Sequence, residues 1–175
     1  MATAEQSLAV AEGDYVVYPA HGVGQVQGVE TQEISGSRLD LIVIRFDHER
    51  MTIRLPVTKA QTAGLRKLSS SQVMTDAIAT LKTRGRAKKT MWSRRAQEYE
   101  AKIHSGDPVA LAEVVRDLFR PEDQGEQSYS ERQMYQGALQ RLGREYAATQ
   151  GKDEASAAQE LEGIVRANRA QKTSA

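Results

Sequence analysis

The spacing of apolar residues changes partway along this chain of 175 residues, so one repeating pattern cannot account for the whole of it. Over residues 13–68 the apolar side chains gather in short β-rich runs at 15–18, 23–30, 39–46 and 51–55. Runs of about 4 to 8 residues, rich in branched and aromatic side chains, carry the period of strands. The turn signals between them are short: Pro19-Ala20-His21-Gly22, Ser35-Gly36-Ser37, and a polar tip from Asp47 to Arg50. Short connections predict antiparallel hairpins. The nearly continuous apolar run 39–46 suits a central strand, while the alternation in 51–55 leaves Thr52 and Arg54 on one exposed face. The expectation for this half is a small, strongly curved antiparallel sheet or barrel.

After about Ser69 the period becomes 3.6 and the same turn residues fall where helix caps belong. Val73, Ala77, Ile78 and Leu81 mark a first helix, capped by Ser70 or Ser71; Trp92, Ala96, Tyr99 and Ile103 mark a second. A third opens at Asp107-Pro108, where the carboxylate accepts orphan N–H bonds and proline occupies a position that needs no donor. Its stripe is Leu111, Val114, Val115 and Leu118. The capping box Ser130-Glu131-Arg132-Gln133 predicts a fourth, carrying Met134, Ala138, Leu139, Leu142 and Tyr146, and Asp153 a last one with Leu161, Ile164 and Val165. The fold class expected is α+β in two domains: a small antiparallel β-barrel at 13–68 and a compact all-helical domain of about five helices at 69–168. Flexible tails are expected at 1–12 and 169–175.

Composition removes most catalytic chemistry. There is no cysteine, hence no disulfide, thiol nucleophile or thiolate metal site, in keeping with a reducing cytoplasm. His21, His48 and His104 are the three histidines, and their spacing matches no metal-ligand pattern. Acid pairs such as Asp40 with Asp47, or Glu122 with Asp123, read as solvated surface groups. Gly22-Val23-Gly24 lacks the third glycine and the following helix of a dinucleotide fingerprint, and no phosphate-cradling lysine loop occurs. The expectation is a protein that is not an enzyme and uses no cofactor or metal. Residues 1–12 carry no basic region before an apolar core, and no run approaches the roughly 20 apolar residues of a membrane span, so a cytoplasmic chain without membrane contact is expected.

Net charge is +1, from 24 Lys and Arg against 23 Asp and Glu, so any attraction to nucleic acid has to be local. It is local here. No acid stands between Asp76 and Glu98, where Lys82, Arg84, Arg86, Lys88, Lys89, Arg94 and Arg95 crowd around Trp92, the one tryptophan. Each such cation that neutralises a phosphate releases counterion and adds salt-dependent affinity. The plain alternative is a solvated linker around Gly85. Trp92 has two readings as well: an apolar wedge between base steps, flanked by phosphate-holding charges, or an anchor of the helical core along the stripe with Ala96, Tyr99 and Ile103.

Several spaced motifs then occur in order: GDYVVYPAHG from Gly13 to Gly22, Arg54-Leu55-Pro56, Gly64-Leu65-Arg66, Trp92-Ser93-Arg94-Arg95, Ser105-Gly106-Asp107, and LAEVVRDL from Leu111 to Leu118. Together they resemble the CarD/CdnL family of bacterial RNA polymerase-binding transcription regulators, across almost all of 13–146. The first half is also similar to the polymerase-interacting module of transcription-repair coupling factors. The resemblance implies a Tudor-like or SH3-like barrel that pairs a strand with the polymerase β subunit, and a helical domain that meets promoter DNA, without sequence specificity, at the upstream fork of the transcription bubble. It implies polymerase contacts at Arg54, with Thr52 and Pro56 on the same strand. Gln32 is a further candidate, standing where some members carry arginine. It also implies a DNA wedge at Trp92, a basic flank at Arg94 and Arg95, and a phosphate contact at Arg132. Arg86, Lys88 and Lys89 are added as DNA candidates from their charge, since the dense stretch 82–89 is not part of the family pattern. The function expected is stabilisation of the open promoter complex, including regulation of ribosomal RNA promoters, by a monomer associated with the nucleoid through polymerase. The alternative is an interaction module that docks on polymerase or a repair-coupling partner without touching DNA.

Overall fold

The computed structural model describes residues 9–85, 91–121 and 127–173, the last four of these by backbone alone. Contacts divide the chain into two compact units, Met1–Leu68 and Ser69–Ala175. Arg86, Lys88 and Lys89 lie outside the described residues, as does the chain before residue 9.

Among its described residues the first unit is one antiparallel sheet of five strands: β1 Tyr15–Tyr18, β2 Gly22–Ile34, β3 Ser37–Phe46, β4 Met51–Pro56 and β5 Arg66–Lys67, in the order β4-β3-β2-β1-β5. The β2–β3 hairpin turns on Ser35 and Gly36, both with positive φ (53° and 78°), the two-residue geometry that matches strand twist. Val16, Val26, Ile42, Ile44 and Phe46 fill the core, each removed from water and each contributing roughly 1.5–3 kcal/mol. Gly24 is explained by this packing: a Cβ there would lie 2.6 Å from Ile44 Cγ2 and 2.7 Å from Phe46 Cε1. The expected barrel does not close. β5 is two residues long and pairs with β1, and the chain between β4 and β5 runs through tight turns that set Ala60 and Leu65 into the core. Among the described residues no ladder joins β4 to β5, so the fold is a curved sheet with β4 at one edge.

The second unit has five helices among its described residues: α1 Ser71–Leu81, α2 Trp92–Ser105, α3 Pro108–Leu118, α4 Tyr129–Gln150 and α5 Glu154–Thr173. Their starts follow local chemistry. Ser70 Oγ accepts from Val73 N at 3.3 Å, Asp107 Oδ2 from Ala110 N at 3.0 Å, and Asp153 Oδ1 from Ser156 N at 2.9 Å. One start differs from expectation. α4 begins at Tyr129, with Ser128 Oγ accepting from Glu131 N at 3.2 Å, so the capping frame is Ser128-x-x-Glu131, two residues before the one read at Ser130. α5 runs to Thr173, and within it Asn168 and Arg169 are hydrogen-bonded to other elements of the unit. Met74, Ala77, Leu81, Leu111, Val114, Leu118, Leu142 and Leu161 form the centre of its core.

Candidate functional site

In the first unit the strand register decides which residues share a surface. Side chains directly opposite in a ladder stand on the same face, and alternate residues on opposite faces. Ile42, Ile44 and Phe46 point into the core, so Leu41, Val43 and Arg45 take the opposite face, on which Leu41 and Val43 are themselves buried, and with them stand their partners Pro56, Arg54 and Thr52 on β4. On β2 the same face receives Glu30 opposite Leu41 and Gln32 opposite Leu39. The four predicted polymerase-facing residues, Arg54, Thr52, Pro56 and Gln32, therefore lie on one sheet face, the first three along the edge strand. Arg54 Nε bonds Glu30 Oε2 at 3.1 Å across β3, with both side chains about half exposed (49% and 48%). Such a pair contributes about 1 kcal/mol or less, so it holds Arg54 in place without committing its charge. At one end of the strands His21 Nδ1 lies 2.8 Å from Glu49 Oε2 and His48 Nε2 donates to the His21 carbonyl at 3.1 Å. These histidines tie two turns together, and among the described residues no cluster of three metal-binding side chains occurs.

In the second unit the topology gathers one set of helix ends. Gly106, at φ 69°, turns the chain between α2 and α3, and Lys102 Nζ meets Glu113 Oε2 at 2.7 Å, which ties the last turn of α2 to the middle of α3. The end of α3 gathers other elements. There Gln127 donates to the Leu118 carbonyl, Arg120 meets Glu131 at 3.5 Å, and the rings of Phe119 and Tyr135 are 6.1 Å apart, which fixes the start of α4 at that end too. Arg116 Nη1 donates to Thr83 Oγ1 at 2.8 Å and brings the end of α1 to it. Arg132, Lys82 and Arg84 are thereby collected at the end of α3, with exposed Tyr129 in the first turn of α4, while Trp92 and Arg94, preceded by exposed Met91, open α2.

Trp92 opens α2 and is partly buried, packed on the core with its ring 6.3 Å from that of Tyr99. Arg94 and Arg95 behave differently. Arg94 is exposed, whereas Arg95 folds inward, its guanidinium 5.6 Å from the Trp92 ring centre and 5.8 Å from that of Tyr99. Its Nη2 reaches the Tyr99 hydroxyl at 3.5 Å, and its Nε is shut off from solvent with no hydrogen-bond partner. Arg95 thus braces the indole from one side, a role the sequence reading missed. The signal was present: residues 92, 95 and 99 fall at i, i+3 and i+7, one helix face, while 94 falls off it. Arg132 is exposed in the first turn of α4.

Comparison with known proteins covers most of the chain. Residues 10–69 match the CarD-like/TRCF RID domain, and residues 76–162 match the C-terminal domain of CarD. The YdeB protein of Bacillus subtilis (strain 168), whose given name is that of a transcription factor, is 28% identical over 130 residues, covering 74% of this chain and 85% of YdeB. Two solved structures from Myxococcus xanthus are similar to part of this chain. The 72-residue N-terminal domain of CarD is 33% identical, with a TM-score of 0.30, covering 38% of this chain and 89% of that one. CdnLNt is 35% identical, with a TM-score of 0.32, covering 39% and 97%.

Proposed function

Because the chain belongs to the CarD/CdnL family, whose members are transcription regulators that interact with RNA polymerase, we propose that it holds open promoter complexes by coupling a polymerase contact to a DNA contact. The polymerase contact is the β4 edge and its outer face, with Arg54 as the principal charge, Thr52 and Pro56 beside it, and Gln32 on β2. The occupant is a strand of the polymerase β subunit, since an edge strand offers unpaired backbone groups and the adjacent side chains select the partner. The DNA contact is the end of the helical unit where Trp92 and the arginines meet. Trp92 wedges at the upstream fork of the bubble, while Arg94, Arg132 and the charges of 82–89 neutralise phosphates. This reading rests chiefly on one juxtaposition: a partly exposed indole at a helix start, with exposed Arg94 two residues on and Arg95 set against its ring.

The test is the lifetime of open complexes formed by purified bacterial RNA polymerase at a ribosomal RNA promoter. Wild-type protein lengthens it; Trp92→Ala returns it toward the value without protein, and Arg54→Glu abolishes the effect while DNA affinity measured alone is unchanged. Binding to polymerase with no change in lifetime overturns the proposal. The packing of Trp92 on Tyr99 and beneath Arg95 favours a second reading, in which the indole braces the helical unit and the protein is a docking module without DNA contact. Quencher-protected, blue-shifted Trp92 emission that is unaltered by forked DNA supports that second reading over the first.

A further inference from the structure

The chain from Leu81 to Gly85, which leads into the basic stretch, is held by residues far away in sequence. The last carbonyls of a helix have no partner within it. At the end of α1 the Leu81 carbonyl, and beyond the helix the Thr83 carbonyl, are taken by α5: Asn168 Nδ2 donates to the first at 3.4 Å and to the second at 3.0 Å. Arg169 Nη2 donates to the Arg116 carbonyl at 3.0 Å, Arg116 Nη1 to Thr83 Oγ1 at 2.8 Å, and Arg116 Nε to Asp117 Oδ1 at 2.9 Å. The Arg116–Asp117 pair is largely buried, with side chains 13% and 5% exposed. Gly85 lies directly against this network: a Cβ there would be 3.0 Å from Arg169 Nη2 and 3.4 Å from both the Arg116 carbonyl and Asp117 Oδ1. Asn168 and Arg169 also lie beyond residue 162, where the match to the CarD C-terminal domain stops.

We infer that the last turns of α5 are a clamp on the root of the basic stretch, and that Asn168 and Arg169 are positioning residues for DNA binding. The clamp holds Thr83 and Gly85 against α3 and α5, so the exposed cations Lys82 and Arg84 are presented in a fixed place at the end of α3. A charge fixed beside a phosphate path contributes counterion release at each encounter, whereas one on a loose segment pays ordering entropy first. The inference rests on the DNA contact proposed above, and its test keeps the two apart.

Full-length Asn168→Ala/Arg169→Ala is compared with wild type and with the conservative Asn168→Gln/Arg169→Lys pair, since alanine is well tolerated in a helix. Two quantities are read: amide hydrogen exchange over 83–85, and affinity for a fluorescent forked DNA duplex as a function of salt. Loss of the clamp bonds is expected to speed exchange there about tenfold. It is expected to weaken low-salt affinity about three- to tenfold and make the salt dependence shallower by about one phosphate equivalent, with the conservative pair restoring part of both. Unchanged exchange overturns the clamp. Faster exchange with unchanged affinity and salt dependence overturns the positioning role. Wild-type protein that binds no forked DNA overturns the DNA contact itself and reduces the clamp to a structural one, which the exchange data identify.

Discussion

Single side chains in both units act through what lies within a few ångströms of them. Gly24 sits where any β-carbon would press on Ile44 and Phe46, two residues with no exposed surface to yield into. Gly24→Ala is therefore expected to lower stability by about 1–3 kcal/mol, measured by denaturant unfolding; an unchanged midpoint would mean that β2 shifts outward at no cost. The sequence made Gly24 conspicuous for the wrong reason, as part of a weak nucleotide-loop pattern, because glycine letters do not distinguish close packing from backbone freedom. Arg95 makes the complementary case. Adjacent Arg94 and Arg95 look alike in sequence, yet the helix phase sends only the second across the faces of Trp92 and Tyr99. Arg95→Ala is expected to shift Trp92 emission to longer wavelength and to cost about 0.5–2 kcal/mol, while Arg94→Ala leaves both emission and stability as they were. Equal emission spectra for the two variants would remove the brace.

Elements were legible in the sequence to the extent that their chemistry is local. Asp107-Pro108 and Asp153 start helices because a side-chain oxygen two or three residues ahead of a backbone N–H suffices, and the hairpin at Ser35-Gly36 needs little beyond its own backbone. The start of α4 was displaced because two serines compete for one cap, and Ser128 prevails with Glu131 behind it. β5 escaped notice since two residues carry no periodicity and exist as a strand through their pairing with β1. The α4–α5 pair adds polar ties that periodicity does not reveal: the Tyr135 hydroxyl donates to Glu162 at 2.7 Å, and Glu160 accepts from both the Tyr146 hydroxyl at 2.9 Å and Lys152 at 2.7 Å. The Lys152 ammonium, with Tyr146 behind it, holds the Glu160 carboxyl below its ordinary value, and bonds from Ser156 do the same for the Asp153 cap. Groups depressed in the folded state add stability above the unfolded carboxylate range and lose it as pH falls through the folded values. Thermal midpoints should therefore drop on acidification through and below that range, and Glu160→Gln should flatten part of the drop. Because these groups are exposed the effect is small, and an identical pH profile for Glu160→Gln would assign the acid sensitivity to other carboxylates.

For the whole chain, the two-period sequence already separated a sheet from a helical half, but each half holds only part of what the proposed function needs. Among the described residues Arg54 stands on the edge strand of the sheet, and Trp92, Arg94 and Arg132 stand on helices of the other unit. A sequence-independent DNA contact with a few phosphates is weak in solution at physiological salt. It becomes effective once docking on polymerase replaces a bimolecular encounter with an intramolecular one, at effective concentrations of about millimolar for a short connection. The connection here is short indeed, since β5 ends at Lys67 and Ser70 already caps α1. Inserting a Gly/Ser segment between Leu68 and Ser69 lengthens that tether without altering either surface. An insert of about 20 residues has a root-mean-square span of about 25 Å, and the effective concentration falls steeply. The expected result is unchanged affinity for polymerase, measured by direct binding, together with a graded loss of the open-complex lifetime gain as the insert grows. A gain that persists in full at the longest insert would show that the helical unit acts without being delivered, and the coupling between the two contacts would have to be given up.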